Sequence, residues 1–279
     1  MFQNENIIRL TEKIHSGEKR IMDNPILPSQ IKRHLTSMKY DQIKVGCSSA
    51  NVYRYSNGRN VLYLKISKAD DEIRREHDLL VWLSGKLPVP EVKCWHEQDG
   101  FAYLLMTEVP GKMSCDGLNE NTVKLLAKGL KMLWAVDITA CPFDSTLENK
   151  LAGALYNIEN GLVDMDDFEN NNTFKTPMEL YRWLVVNKPP EELCFTHGDY
   201  CLPNVLIDNG AVTGFIDVGR GGIADKWQDI ALCVRSLGYN LGDIAQAEKD
   251  KHFAWLFSHL GIPSDWVKAD YYILLDELF

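Results

Sequence analysis

His197-Gly198-Asp199-Tyr200-Cys201-Leu202-Pro203-Asn204 is followed, across a turn signal at Asn209-Gly210, by Phe215-Ile216-Asp217-Val218-Gly219. The two stretches present an acid, an amide five residues later and a second acid eighteen residues after the first. Phosphoryl transfer demands a carboxylate beside the attacking hydroxyl and a divalent cation that bridges and neutralises the nucleotide phosphates. Magnesium takes oxygen ligands, keeps several waters and draws others from phosphate, so one amide and one carboxylate suffice as protein ligands. The spacing of Asp199, Asn204 and Asp217 supplies that minimum set. Taken singly, Gly-Asp in a turn and Asn before a strand are ordinary turn and cap formers. All three in this order, with a hairpin between the last two, are what point to the chemistry.

The kinase catalytic loop has the same five-residue offset from Asp to Asn, with its metal-binding Asp on the next hairpin. The expected fold is therefore α+β: a two-lobed, protein-kinase-like arrangement with a small antiparallel sheet lobe over residues 1–108 and a larger, mainly helical lobe over 109–279. Upstream of the loop the pattern agrees. A short helix is predicted over 26–36, and alternation from Lys39 onward reads as strands around Asn57-Gly58 and Gln98-Asp99-Gly100. The first long helix is predicted over 70–84, closed by Gly85 and Pro88. Val109-Pro110-Gly111 reads as the hinge. Beyond it, helices are predicted near 123–133, 147–160, 177–187, 224–237, 248–260 and 265–279, interrupted by strands over 205–208 and 212–217.

A second constellation lies in the small lobe. Alternation puts Val61, Tyr63 and Lys65 on one face of a strand and Leu62, Leu64 and Ile66 on the other. Two strand residues span about 7 Å, so Tyr63 is placed to lie against a purine while Lys65 reaches the phosphates. On the following helix Ile73, Glu76, Leu80 and Leu83 share one stripe, which buries a carboxylate in need of a partner. Lys65 is the candidate, and a solvated strand lysine with a helix-edge glutamate is the alternative. The turn at 46–50 sits where a phosphate-covering loop belongs. It has only one glycine, so contact through backbone N–H groups and the Ser48 or Ser49 hydroxyl is weighed against an ordinary hairpin loop.

The 279 residues are 45% hydrophobic and 25% charged, enough for a substantial core, and the formal charge of −9 argues against nucleic acid or an anionic membrane and suits a cationic ligand. Seven cysteines without a C-x-x-C pair suggest neither a disulfide framework nor a zinc site. No apolar stretch is long enough for a signal peptide or a membrane span, so a cytoplasmic protein is expected, as a monomer or weak homodimer.

The stretches VYRY (52–55), LYLKI (62–66), REHDLLVWLSGKLPVP (75–90), LLMTE (104–108), THGDYCLPN (196–204), GFIDVGRGGIADKWQDIALCVRSL (214–237) and YYILLDELF (271–279) together resemble the aminoglycoside phosphotransferases, most closely the 3'-phosphotransferases. The resemblance runs from about residue 41 to the end. It implies ATP and Mg²⁺ as cofactors and a small-molecule aminoglycoside, phosphorylated on its 3'-hydroxyl, as substrate. Asp199 would be the catalytic base or hydroxyl-orienting residue, Asn204 and Asp217 the magnesium ligands, and Lys65 the phosphate lysine with Glu76 as its partner. Tyr63 would stack on adenine, with the backbone from Thr107 to Val109 reading the purine edge. The polycation would meet Asp166, Glu169, Asp276, Glu277 and the Phe279 carboxylate. Independently, residues 151–174 contain five acids and no base, which also describes a solvated acidic face. Arg220 either neutralises transferring phosphate or pairs with a carboxylate, and His197 reads as a loop anchor. Tyr200 stands where the family usually has Leu.

Only seven residues separate Asp217 from Asp225, too few for the activation segment of a protein kinase. Macrolide, choline and homoserine kinases share the catalytic loop and are the enzyme alternatives. A non-catalytic nucleotide-binding protein is the alternative from another class.

Overall fold

The computed structural model describes residues 27–43, 50–168 and 173–279. These divide into two compact units: the described residues up to Asp70 with Val92–Thr107, and Asp71–Glu91 with Glu108–Phe279.

In the first unit a one-turn helix α1 (Ser29–Lys32) precedes a five-stranded antiparallel sheet of β1 (Lys39–Ile43), β2 (Asn51–Ser56), β3 (Val61–Lys68), β4 (Val92–Gln98) and β5 (Phe101–Thr107), in the order β1-β2-β3-β5-β4. The helix predicted over 26–36 shrinks to this one turn. At the tip between β4 and β5, Asp99 and Gly100 both have positive φ, 52° and 79°. That is the twist a tight antiparallel hairpin requires. Leu64 is fully buried on Tyr53, Tyr55, Leu105 and Ile31, with Leu62 and Ile66 packed at the margin. Tyr63 and Lys65 therefore project from the opposite face, as the alternation requires.

The second unit begins with α2 (Asp71–Leu83), then β6 (Lys112–Met113), α3 (Glu120–Trp134), α4 (Leu147–Glu159), α5 (Met165–Phe168), α6 (Pro177–Val186) and β7 (Leu193–Thr196). It continues through a 3-10 turn at Leu202–Asn204, β8 (Val205–Asp208), β9 (Ala211–Phe215), a second 3-10 turn at Val218–Arg220 and β10 (Gly222–Asp225). α7 (Lys226–Leu241), α8 (Gln246–Leu260) and α9 (Trp266–Asp276) close the chain. Side-chain caps set several starts: Asn119 accepts from the Thr122 N–H, Thr176 from Glu179 N–H, and Asp265 from Lys268 N–H.

Two boundary shifts around the motif have a visible cause. β9 stops at Phe215 and not at 217, because Ile216 N–H turns to the Asn204 carbonyl and Asp217 enters the left-handed region at φ 59°. The helix expected from 224 starts at Lys226, because Gly222–Asp225 pairs antiparallel with Leu193–Thr196 and Asp225 becomes the N-cap of α7.

Asp225 is also the centre of a buried charge network. Lys268 Nζ lies 2.5 Å from its Oδ2 and donates to the Pro190 carbonyl at 2.7 Å, and Tyr272 Oη donates to Oδ2 at 3.0 Å. The Asp225 side chain is fully buried and that of Lys268 nearly so. Removing one member of such a pair leaves an uncompensated interior charge. Lys268→Met is expected to lower unfolding free energy by about 3 kcal/mol or more, read from the urea midpoint, whereas a loss below about 1 kcal/mol, the range of an exposed pair, would show that the network does not tie α9 to the core.

Candidate active site

Strand β7 ends at Thr196 and runs into His197-Gly198, where the turn is built for close packing. Gly198 has φ 82°, and a Cβ there would lie 2.1 Å from the Arg220 carbonyl oxygen, so only glycine fits. Asp229, wholly buried on α7, accepts the backbone N–H groups of His197 at 2.6 Å and Gly198 at 2.9 Å. Burial pushes its carboxyl up to about 6, opposed by His197 and those two N–H groups.

The His197 ring is fully occupied by structure. Nε2 lies 2.9 Å from the Ile216 carbonyl and Nδ1 is 3.3 Å from the Asp199 N–H. A carbonyl only accepts and an amide N–H only donates, so these partners select the tautomer with its proton on Nε2. His197 is a loop anchor between the two halves of the motif, as its position in the sequence suggests.

Asp199 is half-buried, and both its carboxylate oxygens have donors. Asn204 Nδ2 donates to Oδ2 at 2.9 Å and to the Asp199 carbonyl at 3.0 Å, and Cys201 Sγ lies 2.9 Å from Oδ1. With the Asn204 nitrogen committed to Asp199, the oxygen end of that amide is the end that can bind a cation. The Ile216 N–H donates to the Asn204 carbonyl at 3.0 Å, which brings Asp217 beside Asn204. Asp217 holds φ 59°, ψ 48°. Left-handed backbone at a non-glycine residue is uncommon and clusters at functional sites.

Supporting contacts fix the turn from outside. Ser236 Oγ accepts the Leu202 N–H at 3.0 Å, and Ser114 Oγ donates to the Leu202 carbonyl at 2.8 Å. Arg75 on α2 donates to the Gly221 carbonyl at 2.8 Å and to Ser145 Oγ at 2.9 Å. Glu76 is 5% exposed, and its Cβ would stand 3.2 Å from a Cβ at Gly219, so the glycine gives α2 room to pack there.

Residues 39–257 match the family model described as "Phosphotransferase enzyme family". The chain belongs to that family. It is 40% identical over 246 residues to an aminoglycoside 3'-phosphotransferase of Enterococcus faecalis, with 84% of this chain and 91% of the relative covered. It is 39% identical over 264 residues to an aminoglycoside 3'-phosphotransferase of Niallia circulans, covering 90% and 97%. Among solved structures it is similar to an aminoglycoside-3'-phosphotransferase of type VIII, with a TM-score of 0.76 and 29% identity over 89% of this chain and 96% of the other. The two-lobed kinase-like fold is that of its structural neighbours.

Not all the residues singled out in the sequence of this phosphotransferase come together in one unit. Asp199, Asn204, Asp217, Arg220, Glu76, Val109 and Asp276 all lie in the second; Tyr63, Lys65 and Thr107 belong to the first, with Tyr63 opposite Met106 and Thr107 opposite Leu62. Val109 is buried near Gly214. Asp166 falls on α5, and Ser48, Ser49 and Glu169 lie outside the described residues. Glu277 and Phe279 follow the end of α9. Arg220 Nη1 is 3.4 Å from Asp276 Oδ1, while Arg235 Nη2 takes Asp276 Oδ2 at 2.5 Å.

Four residues in contact with those singled out were absent from the sequence-based set. Asp229 and Arg235 act across the fold from α7, Cys201 sits inside the motif, and Lys150 on α4 lies with its Nζ 4.7 Å from the centre of the Phe279 ring. Burial pushes the Lys150 amine down to about 8, against the pull of Asp276. Tyr200 has a structural explanation: its hydroxyl donates to the Leu126 carbonyl at 2.8 Å and occupies the space a Cβ at Gly129 would need. The glycine in the middle of α3 makes room for the phenol.

Proposed function

We propose that this phosphotransferase moves the γ-phosphoryl group of ATP onto the 3'-hydroxyl of aminoglycosides of the kanamycin and neomycin type, an activity that confers resistance. The observation that carries it is the Asp199–Asn204–Asp217 arrangement, in a chain whose relatives at up to 40% identity are named aminoglycoside 3'-phosphotransferases. Asp199 orients the attacking hydroxyl and accepts its proton. The oxygen of Asn204 and the carboxylate of Asp217 are hard ligands suited to Mg²⁺, which keeps waters and phosphate oxygens in its remaining positions. When bound, the cation neutralises the phosphate charge.

On the same reading Lys65, partnered by Glu76, holds the nucleotide phosphates, the Ser48–Ser49 turn covers them, Tyr63 stacks on the base and the backbone between Thr107 and Val109 reads its edge. Asp166, Glu169, Asp276, Glu277 and the Phe279 carboxylate receive the substrate's ammonium groups, Asp276 entering that set already bridged by Arg220 and Arg235. An ATP-consumption assay with and without aminoglycoside tests the proposal. Turnover only with a macrolide, choline or homoserine would reassign the acceptor, and nucleotide binding without turnover would leave a binding protein.

If acidic groups bind a polycation, the aminoglycoside KM rises with ionic strength as the Debye length falls from about 10 Å at 0.1 M to about 3 Å at 1 M. The KM for ATP is expected to respond less steeply. A flat aminoglycoside response would point to a neutral acceptor.

A further inference from the structure

Cys201 stands two residues beyond Asp199, and its thiol touches the carboxylate on which the proposed chemistry depends. The Sγ to Oδ1 distance is 2.9 Å, and an ionised carboxylate only accepts, so the S–H is the donor. The contact is set by the backbone: Cys201 N–H donates to the Asp199 carbonyl at 2.8 Å, closing residues 199–201 into a tight turn that aims the thiol back at the acid. Burial, then the neighbouring Asp199, hold the thiol protonated. On the other side Asn204 Nδ2 holds Oδ2 at 2.9 Å.

A carboxylate rotates about χ2 in a broad, roughly two-fold well. One donor leaves that rotation soft, whereas a donor on each oxygen fixes the plane. Resting on the kinase reading above, we propose that Cys201 is a positioning residue for phosphoryl transfer, its S–H fixing the plane of the Asp199 carboxylate so that a remaining lone pair faces the acceptor hydroxyl. Well-aligned attack is worth large factors in rate, and small misplacements are costly. The cysteine touches neither phosphate nor cation in this scheme, so its loss should act on turnover and not on binding.

Cys201→Ala and Cys201→Ser separate these effects, since serine keeps a donor of shorter reach. Cys201→Ala is expected to lower kcat about tenfold, equivalent to about 1.4 kcal/mol, with both KM values unchanged, and Cys201→Ser to stay within about threefold of the native rate. Native turnover in Cys201→Ala, an equal loss in both variants, or a loss confined to KM would overturn the proposal. The thiol also has a signature independent of turnover and of the alanine variant's folding. The S–H stretching band lost in the Cys201→Ser difference spectrum should lie at the low frequency of a strongly hydrogen-bonded thiol and shift upward in Asp199→Ala. A band that ignores Asp199→Ala removes the contact. If the native protein turns over no aminoglycoside, the functional reading fails by itself and the thiol band still decides this contact.

Discussion

Asp199→Ala is expected to lower kcat by roughly 10² to 10⁴ while leaving ATP affinity close to native. The carboxylate is held by Asn204 and Cys201 at the mouth of a turn whose backbone is anchored separately, by Asp229 on His197 and Gly198. Truncating Asp199 therefore removes hydroxyl orientation and proton acceptance without dismantling the turn. The Asn204 amide loses one of its two acceptors and keeps the Asp199 carbonyl, so the oxygen proposed for the cation stays near its place. A well-folded variant with near-native turnover would take Asp199 out of the mechanism.

Asp217→Ala is expected to abolish magnesium-dependent nucleotide affinity, measured by calorimetry with and without the cation. With Asn204 it supplies the two proposed protein oxygens, so the variant leaves one neutral ligand and no charge to hold the ion. The backbone at φ 59° adds a second effect, because alanine carries a steric penalty there that asparagine tolerates better. Asp217→Asn therefore removes the charge while sparing the backbone, and should lose nearly as much magnesium-dependent affinity as alanine. Full affinity in either variant would contradict the ligand assignment.

What could be read from the sequence was mostly local. The helix at 71–83 and the hairpin around Gln98-Asp99-Gly100 follow from periodicity and turn chemistry within a dozen residues. The face shared by Tyr63 and Lys65 follows from strand alternation, and the acid–amide–acid spacing from a single loop and hairpin. What escaped depends on pairs far apart in the chain. Strands β7 and β10 are four residues each, too short to show a pattern, and they exist because Thr196 finds Gly222 across the motif. Asp229 serves the loop from 31 and 32 residues downstream. Tyr200 and Gly129 are complementary in size, a relation visible only once α3 lies over the loop. The contact between Arg220 and Asp276 likewise waited on α9, which brings the carboxylate to it.

Phosphorus and proton NMR of the product formed from kanamycin, ATP and magnesium tests the assignment most directly. The phosphate is expected on the 3'-hydroxyl, the oxygen that must lie within about 3 Å of Asp199 and in line with the γ-phosphate. Tobramycin lacks that hydroxyl and keeps most of the cationic groups, so it should inhibit without being phosphorylated there. Phosphate on the 2''-hydroxyl of kanamycin, or tobramycin turned over at a comparable rate, would contradict the account.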